Sequence, residues 1–144
     1  MTDSGQTTSH AFSFPKREKL TSKKDIEELF KNGSSFYLHP LLLKYRREED
    51  SAVTYHRVLF TVPKKNFKRA VRRNQLKRRM REAYRLHKSI IYQSPVSGFY
   101  QLAFVYLDKS PLPYGEIEDK LKKLLVRLES QHSKIGKEHP GEPN

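Results

Sequence analysis

Apolar side chains recur at helical spacing in three parts of the chain. A short helix of about ten residues is predicted to begin after Ser22, with Asp25 completing a capping-box-like start, and to end at Gly33. A long helix is predicted over residues 70–92 and a final one over residues 114–129, because apolar residues fall on one stripe of each. The stripe of the long helix consists of Leu76, Met80, Ala83, Tyr84, His87 and Ile91.

Three other segments have the pattern of strands. Residues 36–46 are rich in aromatic and branched side chains, and residues 56–62 place three apolar residues on one face. Pro40 lies inside the first segment, which favours an edge strand or a bulge at that point. Residues 99–107 are almost continuously apolar, which predicts a strand covered on both faces. The order of elements is α-β-β-α-β-α, and the predicted fold class is therefore α+β.

The two ends of the chain are predicted to be disordered, and one domain lies between them. Residues 1–13 consist largely of small and polar side chains, and residues 130–144 contain two glycines and two prolines. The domain of residues 14–129 is large enough to fold around a single core without disulfides.

Composition also limits the cellular compartments in which the protein is expected. The chain has no cysteine, so disulfides and thiolate metal sites are excluded. No apolar run reaches the ~18 residues that span a bilayer, and residues 1–15 lack the basic start and apolar core of a signal peptide. We therefore expect a soluble, non-secreted, cytoplasmic protein that does not act at a membrane.

Positive charge is concentrated in one window, residues 64–88. The window contains twelve Lys or Arg residues and one acid, Glu82, whereas the rest of the chain has 17 basic and 15 acidic residues. The net charge of +13, with a hydrophobic content of only 35%, favours a nucleic-acid-binding domain over a metabolic enzyme. The window has no large face of Trp, Phe and Leu, which disfavours a membrane-surface helix. A field of this size attracts a polyanion.

On the long helix, basic residues fall beside the apolar stripe. At 100° per residue, an arc of roughly 100° next to the stripe carries Asn74, Lys77, Arg78, Arg81, Arg85 and Lys88. A solvated helix face normally mixes positive and negative side chains, but here only Glu82 is acidic. Arg predominates, and its guanidinium offers a planar fork of donors to phosphate oxygens. The arc is therefore predicted to follow the phosphates of a folded nucleic acid.

No catalytic site is predicted within the chain itself. A metal-dependent nuclease needs several carboxylates that converge on one or two Mg²⁺ ions. The acids here lie next to each other on helices, where adjacent side chains point apart, or in the loop of residues 48–50, which has no accompanying ligand. The histidines have no metal-ligand spacing, and His87 is predicted to pack in the core or against the sheet.

One segment resembles a known family. Its sequence is VPKKNFKRAVRRNQLKRRMREAYR, residues 62–85, and it is similar to the signature segment of the bacterial ribonuclease P protein subunit. The pattern is specific because it combines Lys, Asn, Ala, Arg-Asn, Lys-Arg and Arg-Glu at fixed positions. Supporting matches lie in Lys19, Leu20, Asp25, Phe30, Gly33 and residues 114–128, so the resemblance covers residues 14–129.

The resemblance implies a fold. It is a two-layer α/β sandwich with a four-stranded sheet, about three helices and a left-handed β-α-β crossover that carries the basic helix. The apolar pattern shows only three strands, so the fourth has to come from dividing residues 36–62. The hand of the crossover opposes the usual preference, and periodicity alone does not predict it.

The resemblance also implies a function. The chain is expected to be the protein subunit of ribonuclease P, an endonuclease that removes the 5′ leader of precursor tRNA and leaves a 5′-phosphate. Chemistry in that enzyme belongs to the catalytic RNA and to Mg²⁺ bound through it. The expected partners are this RNA and precursor tRNA. No cofactor bound by the protein and no protein partner are expected.

Two groups of RNA contacts follow from the resemblance. Contacts with the catalytic RNA fall on Arg69, Arg72, Arg73, Asn74, Lys77, Arg78, Arg81 and Arg85. Contacts with the precursor leader fall on Ile26, Phe30, Lys44, Lys64 and Lys65. Two positions depart from the family pattern: Gln75 replaces the second Arg of an Arg-Asn-Arg triplet, and Ile26 replaces one of two aromatic residues. Gln keeps hydrogen-bonding capacity without the charge, whereas Ile has no π-face on which a base stacks.

The residues themselves also allow a leader site. Phe30, with Lys44 or Tyr45 on the neighbouring strand and two lysines after the next strand, combines an aromatic platform with cations, as in sequence-tolerant single-strand binding. The alternatives are that Phe30 belongs to the core and that the lysine turn is a solvated loop with Asn66 as a helix cap.

Two other functions fit the charge. A structural ribosomal RNA-binding protein shares the basic helix but needs no leader site. A DNA-binding module places its helix in a major groove, which the apolar stripe disfavours because it leaves little of the helix free. Competition between duplex DNA and folded RNA at a stated salt concentration separates DNA binding from RNA binding.

Overall fold

A four-stranded mixed sheet is the centre of the fold. The computed structural model describes residues 13–93 and 98–138, with side chains as far as residue 131. Its helices are α1 (Lys23–Asn32), α2 (Ala70–His87), α3 (Ser89–Tyr92) and α4 (Tyr114–Glu138), and its strands are β1 (Ser34–Leu38), β2 (Leu41–Arg47), β3 (Arg57–Thr61) and β4 (Tyr100–Tyr106). The strand order is β1-β2-β4-β3, with β3 parallel to β4 and the other neighbours antiparallel.

The two faces of the sheet are covered differently. One face packs against α2 and α4 and forms the main core, which includes Phe104 and Tyr84. The opposite face is covered in part by α1, where Leu29 packs with Leu20 and Ala103. The central strand β4 is buried along its whole length, which confirms the prediction from its continuous apolar run.

The first helix forms as its sequence predicts. Ser22 is the N-cap, and its Oγ accepts a hydrogen bond from the backbone N–H of Asp25 at 3.2 Å. Gly33 ends the helix at a close approach, because a Cβ there would lie 2.5 Å from the carbonyl oxygen of Leu29 and 3.0 Å from that of Tyr45. A larger residue at position 33 would therefore push α1 away from β2.

The segment predicted as one strand over residues 36–46 divides into two. β1 and β2 form an antiparallel hairpin in which Leu38 pairs with Leu41, so His39 and Pro40 make the turn. The peptide bond between these two residues is cis. Proline has no N–H to donate to a ladder and is compatible with a turn. The interpretation of Pro40 as a bulge in one strand is wrong, and the expected fourth strand is confirmed.

The connection between β3 and β4 carries the basic helix. These strands are parallel neighbours, so the chain crosses one face of the sheet through α2 and α3. The β-α-β unit is thereby confirmed, and the left hand of its crossover stays a prediction. Four residues of the predicted stripe anchor α2 in the core: Leu76, Met80, Ala83 and Tyr84.

Both long helices end at positions other than those predicted. α2 stops at His87, and the separate four-residue helix α3 follows it. α4 continues past residue 129 to Glu138, beyond the predicted end of the domain, and the disorder of the C-terminal tail stays a prediction. The predicted stop of the long helix at residues 94–98 lies mostly outside the described residues, as do residues 1–12 and 139–144.

Within the described ranges, the helices are too short or too polar to cross a membrane.

A buried histidine fixes the junction between the crossover and the sheet. His56 Nδ1 accepts a hydrogen bond from the backbone N–H of Tyr100 at 3.0 Å. Its Nε2 therefore carries the proton, which it donates to the carbonyl oxygen of Ile91 at 3.2 Å. His56 thus ties α3 to the first residue of β4.

Replacing His56 by Phe is expected to lower the free energy of unfolding by about 2–4 kcal/mol, because two buried backbone groups lose their partners. Urea unfolding followed by circular dichroism measures this change. The matched control is His39→Phe, because the His39 side chain is 56% exposed. The control is expected to change stability by about 0.5 kcal/mol or less. Equal losses in the two variants would contradict the structural role of His56.

Candidate nucleic-acid interface

A row of cations lies on the side of α2 that faces away from the core. The buried stripe holds α2 against the sheet, so the side chains outside that stripe face solvent. We call the exposed surface of this segment the basic face of α2. It comprises Asn74, Lys77, Arg78, Arg81 and Arg85 on the arc beside the buried stripe, together with Arg69 and Arg72 at the start of the helix. The guanidinium groups of Arg69, Arg72, Arg78 and Arg81 are exposed and have no ion pair or hydrogen bond with the described part of the chain. Their donors are available to an anionic ligand.

Two arginines of the same segment stabilise the protein itself. Arg73 donates from Nη1 to the carbonyl oxygens of Phe67 and Lys68, both at 2.9 Å. Arg79 donates from Nη1 to the carbonyl oxygen of Leu112 at 2.6 Å. Arg73 therefore holds the loop that leads into α2, and Arg79 holds the loop before α4. The prediction placed Arg73 among the RNA contacts, and its present bonds occupy part of its donor set.

The acid within the basic segment is paired. Arg85 Nη2 lies 2.6 Å from Glu82 Oε2 on the same helix. This hydrogen bond holds the pKa of the Glu82 carboxyl below its ordinary value. Glu82 therefore stays ionised and offsets part of the charge of Arg85. The exposed arginines toward the start of α2 carry the stronger field.

Lys88 is not part of the basic face, which corrects its predicted place on the arc. It follows the last residue of α2, is only 4% exposed, and its Nζ lies 2.8 Å from the Glu18 carboxylate. The helical projection could not show this ion pair, because Glu18 lies 70 residues away in the sequence. His87 also differs from its prediction, since its half-buried ring bonds Glu118 of α4 at 2.8 Å and does not pack against the sheet.

The opposite face of the sheet is partly open beside α1. A row of paired residues crosses it from β1 to β3: Tyr37, Leu42, Val105 and Thr61. We call this row, together with Lys44, the open sheet face. α1 covers the next row through Leu29. Ile26 is half-buried against the same cluster, so its side chain belongs to the contact between α1 and the sheet.

Phe30 lies at the border of the open sheet face. It is 39% exposed, so the interpretation of Phe30 as a core residue is wrong. Asp25 lies on one flank of the α1 contact stripe, where it bonds Arg57 at 3.1 Å. Helical geometry places Phe30 on the other flank, toward the row that contains Leu42. An aromatic ring is therefore available to solvent beside the uncovered part of the sheet.

Of the two predicted partners of Phe30 on β2, only one shares its side of the sheet. Lys44 lies on the face that α1 covers and donates from Nζ to the carbonyl oxygen of Gly33 at 3.3 Å. Tyr45 points to the other face, where its ring contacts Phe36 and Tyr100. Tyr45 is therefore excluded from a site at Phe30.

Lys64 and Lys65 lie in the turn between β3 and α2. Both side chains are exposed. The N-cap of α2 is Arg69, so the interpretation of Asn66 as a helix cap is wrong. The turn adds two cations at the end of the sheet where β3 leads into the basic face of α2.

Comparison with known proteins distinguishes between the functions that remain open for this basic surface. The family model described as Ribonuclease P matches residues 14–129. The chain belongs to the ribonuclease P protein family. It is 32% identical over 124 residues to a ribonuclease P protein component from Porphyromonas gingivalis, covering 85% of this chain and 90% of that protein. It is 42% identical over 101 residues to the one from Chlorobaculum tepidum, covering 64% of this chain and 66% of that protein.

The fold is also that of a solved ribonuclease P protein. The structure from Thermotoga maritima superimposes with a TM-score of 0.63 at 28% identity, covering 76% of this chain and 96% of that one. The chain is accordingly the protein subunit of a ribonucleoprotein endoribonuclease in tRNA processing, and the RNA subunit of that enzyme is its partner. The alternative of a structural ribosomal protein is not favoured.

Two acids of this ribonuclease P protein, Asp25 and Glu48, are engaged by one arginine. Arg57 bonds Asp25 at 3.1 Å and Glu48 at 2.7 Å, and the Glu48 side chain is nearly buried. Among the described residues, no three His, Asp or Glu side chains are placed to hold a metal ion. That Mg²⁺ enters through the RNA stays a prediction.

One exposed aromatic residue was missed by the sequence analysis. Tyr37 is 53% exposed and lies on the open sheet face, opposite in orientation to its neighbour Phe36. Strand alternation across residues 34–38 separates the two, but this alternation is hidden when residues 36–46 are taken as one strand interrupted by Pro40. Gln75, the departure within the triplet, is exposed next to the basic face of α2.

Proposed function

We propose that the two surfaces of this ribonuclease P subunit bind two different RNAs. The basic face of α2 binds the catalytic RNA, and the open sheet face with Phe30, Lys64 and Lys65 binds the single-stranded 5′ leader of precursor tRNA. The observation that supports this proposal is the placement of the surfaces. α2 and Phe30 lie on opposite faces of one sheet, so one RNA can be bound on each side.

The basic face suits a folded RNA. It is held in place, because its helix is anchored by buried side chains from Leu76 to Tyr84. Its exposed arginines repeat over several turns, so their guanidinium groups can bond successive phosphates bidentately. Binding of this kind needs no base readout and depends strongly on salt.

The open sheet face suits an unpaired strand. Phe30 offers a ring for stacking, and the ammonium groups of Lys64 and Lys65 offer charge to the phosphates. Leader sequences differ between tRNAs, and stacking tolerates this variation because every base has a π-face. Ile26 is used in packing α1, so we assign it no contact with the leader.

In this proposal the protein positions the substrate, and the RNA with its Mg²⁺ carries out hydrolysis. The cations of the protein lower the repulsion between the two RNAs, so less Mg²⁺ is needed to bring them together. We also propose that the protein acts in the cytoplasm, where precursor tRNA is made in bacteria. Cleavage of a precursor by the cognate RNA at low Mg²⁺, with and without the protein, tests the proposal. Equal rates would contradict it.

The variants Phe30→Leu and Lys44→Gln are expected to weaken binding of precursor tRNA but not of mature tRNA. Each stacked base contributes about 1–3 kcal/mol, so Phe30→Leu is expected to reduce precursor affinity by roughly 5- to 100-fold. Lys44→Gln is expected to have a smaller effect, because Lys44 is half-buried and also donates to the carbonyl oxygen of Gly33. A single charge near the surface contributes about 1 kcal/mol or less. Equilibrium binding to the reconstituted holoenzyme measures both.

Control variants are available on α4. Val126 is an exposed apolar residue and Lys122 an exposed lysine, both remote from the open sheet face. Val126→Leu and Lys122→Gln are expected to leave precursor affinity unchanged. If Phe30→Leu weakened precursor and mature tRNA equally, the leader would not be its ligand. Unchanged affinity for both would give the same conclusion.

A further inference from the structure

A groove lies at the hairpin end of the open sheet face. It is lined by Tyr37, Lys65, Asn66, Leu107 and Lys109 and has a volume of about 680 Å³. This volume is within the range of roughly 300–1,000 Å³ that is common for ligand sites. The groove brings together β1, the turn after β3 and the residues that follow β4. Tyr37 lies on the open sheet face and Lys65 in the turn beside it, whereas Asn66, Leu107 and Lys109 extend beyond the leader site proposed above.

The apolar part of the groove is exposed in a way that core packing does not explain. Tyr37 is 53% exposed and Leu107 is 40% exposed. Leu107 is fixed beside the hairpin, because its N–H donates to the carbonyl oxygen of Pro40 at 2.8 Å. Leu107 follows Val105 by two residues, so strand alternation places both on the side of the sheet that carries Tyr37.

The charges around these residues favour an anion. Lys65 and Lys109 border the groove, and both are exposed. The nearest acid in the sequence, Asp108, accepts hydrogen bonds from His39 Nε2 at 2.6 Å and from the N–H of Ser110 at 2.8 Å. The carboxylate is therefore occupied by donors on the hairpin and in its own loop. The groove combines an aromatic ring, an apolar wall, one amide side chain and two cations.

The groove also lies within reach of a strand bound at Phe30. Tyr37 pairs with Leu42, and Lys44 lies two residues farther along β2. Diagonal neighbours of this kind are about 7–8 Å apart, which is within reach of aromatic and long side chains. A leader that stacks on Phe30 and passes Lys44 therefore comes within reach of Tyr37.

We propose that Tyr37 is a second stacking platform for the precursor leader, in a groove that holds one unpaired nucleotide between Tyr37 and Leu107 with its phosphates at Lys65 and Lys109. This inference rests on the proposed leader function and names a further residue for it. It also explains how the chain binds a leader although Ile26 replaces an aromatic residue on α1. The second platform is on the sheet instead of on the helix.

A series of precursor tRNAs with leaders of increasing length tests this proposal. For the wild-type holoenzyme, affinity is expected to increase with leader length in two increments, one from each platform. Tyr37→Leu is expected to remove only the increment of the longer leaders, with a loss of about 5-fold or more, and to leave the shortest leader unaffected. Tyr37→Phe keeps the ring and is expected to retain wild-type affinity. Because Tyr37 is exposed, the melting temperature of both variants is expected to equal that of the wild type.

The outcomes separate this inference from the function on which it rests. If the wild-type holoenzyme showed no dependence on leader length, both proposals would be wrong. If Phe30→Leu removed an increment but Tyr37→Leu did not, the leader function would hold and the second platform would be wrong. Equal losses for Tyr37→Phe and Tyr37→Leu would also overturn stacking at this residue, since the hydroxyl alone would then carry the effect.

Discussion

The triple variant Arg72→Gln, Arg78→Gln and Arg81→Gln is expected to bind the catalytic RNA roughly 100- to 1,000-fold more weakly than the wild type. Hydrogen bonds to charged groups contribute about 1.5–3 kcal/mol each. Water molecules that bond the phosphates in place of the lost guanidinium groups recover part of this free energy. The three side chains are exposed and have no bonds with the described part of the chain, so their removal is not expected to affect folding. Filter binding or fluorescence titration with the RNA subunit measures the affinity.

The salt dependence of the same variant identifies the kind of contact that was removed. Each lost phosphate contact is expected to reduce the log-log slope by about 0.7–0.9. The control variant combines Lys16→Gln, Lys122→Gln and Lys123→Gln, three exposed lysines outside α2 that give the same change in net charge. A similar loss of affinity in the control would show that overall charge, and not the basic face of α2, determines binding.

Replacing Lys88 by Met is expected to lower the free energy of unfolding by about 3–5 kcal/mol, because the buried carboxylate of Glu18 would lose its ion pair. The melting temperature is expected to fall by roughly 10–20 °C for a chain of this size. The double variant Glu18→Gln and Lys88→Met removes both charges and is expected to recover part of the stability. Differential scanning calorimetry measures all three proteins.

RNA binding by the Lys88→Met variant distinguishes the structural role from the predicted one. At a temperature where the variant is folded, its affinity for the catalytic RNA is expected to stay within about 2-fold of the wild type, since Lys88 is buried. If stability were unchanged and RNA affinity fell, Lys88 would lie on the RNA-binding surface as the helical projection predicted.

Local signals in the sequence predicted those elements whose formation depends on neighbouring residues. The cap at Ser22, the end of α1 at Gly33 and the covered strand β4 agree with their predictions because hydrogen bonds and alternation within a few residues determine them. The hairpin at Pro40 was missed, since the same proline is compatible with a bulge and with a turn. Only the pairing of Leu38 with Leu41 distinguishes the two.

The candidate site was predictable in its charge but not in its details. The helical projection found the basic face of α2, yet it could not show that Arg73 bonds the backbone of the loop before α2 and that Arg79 bonds the backbone of the loop before α4. It also could not show that Lys88 turns inward to Glu18, since these residues are far apart in the sequence. Tyr45 was a candidate only because the sequence did not show which face of the sheet its side chain lies on. Contacts of this kind depend on tertiary structure, which periodicity does not encode.

The order of strands in the sheet has a consequence for biosynthesis. β2 and β3 each pair with β4 and not with each other, so the strand that joins them is made after α2 has been synthesised. A nascent chain that ends before β4 has neither the continuous four-stranded sheet nor the complete core against which α2 packs. The RNA-binding helix therefore leaves the ribosome before its support exists. Its folding is coupled to the late arrival of one central strand, a non-local event that slows the final step.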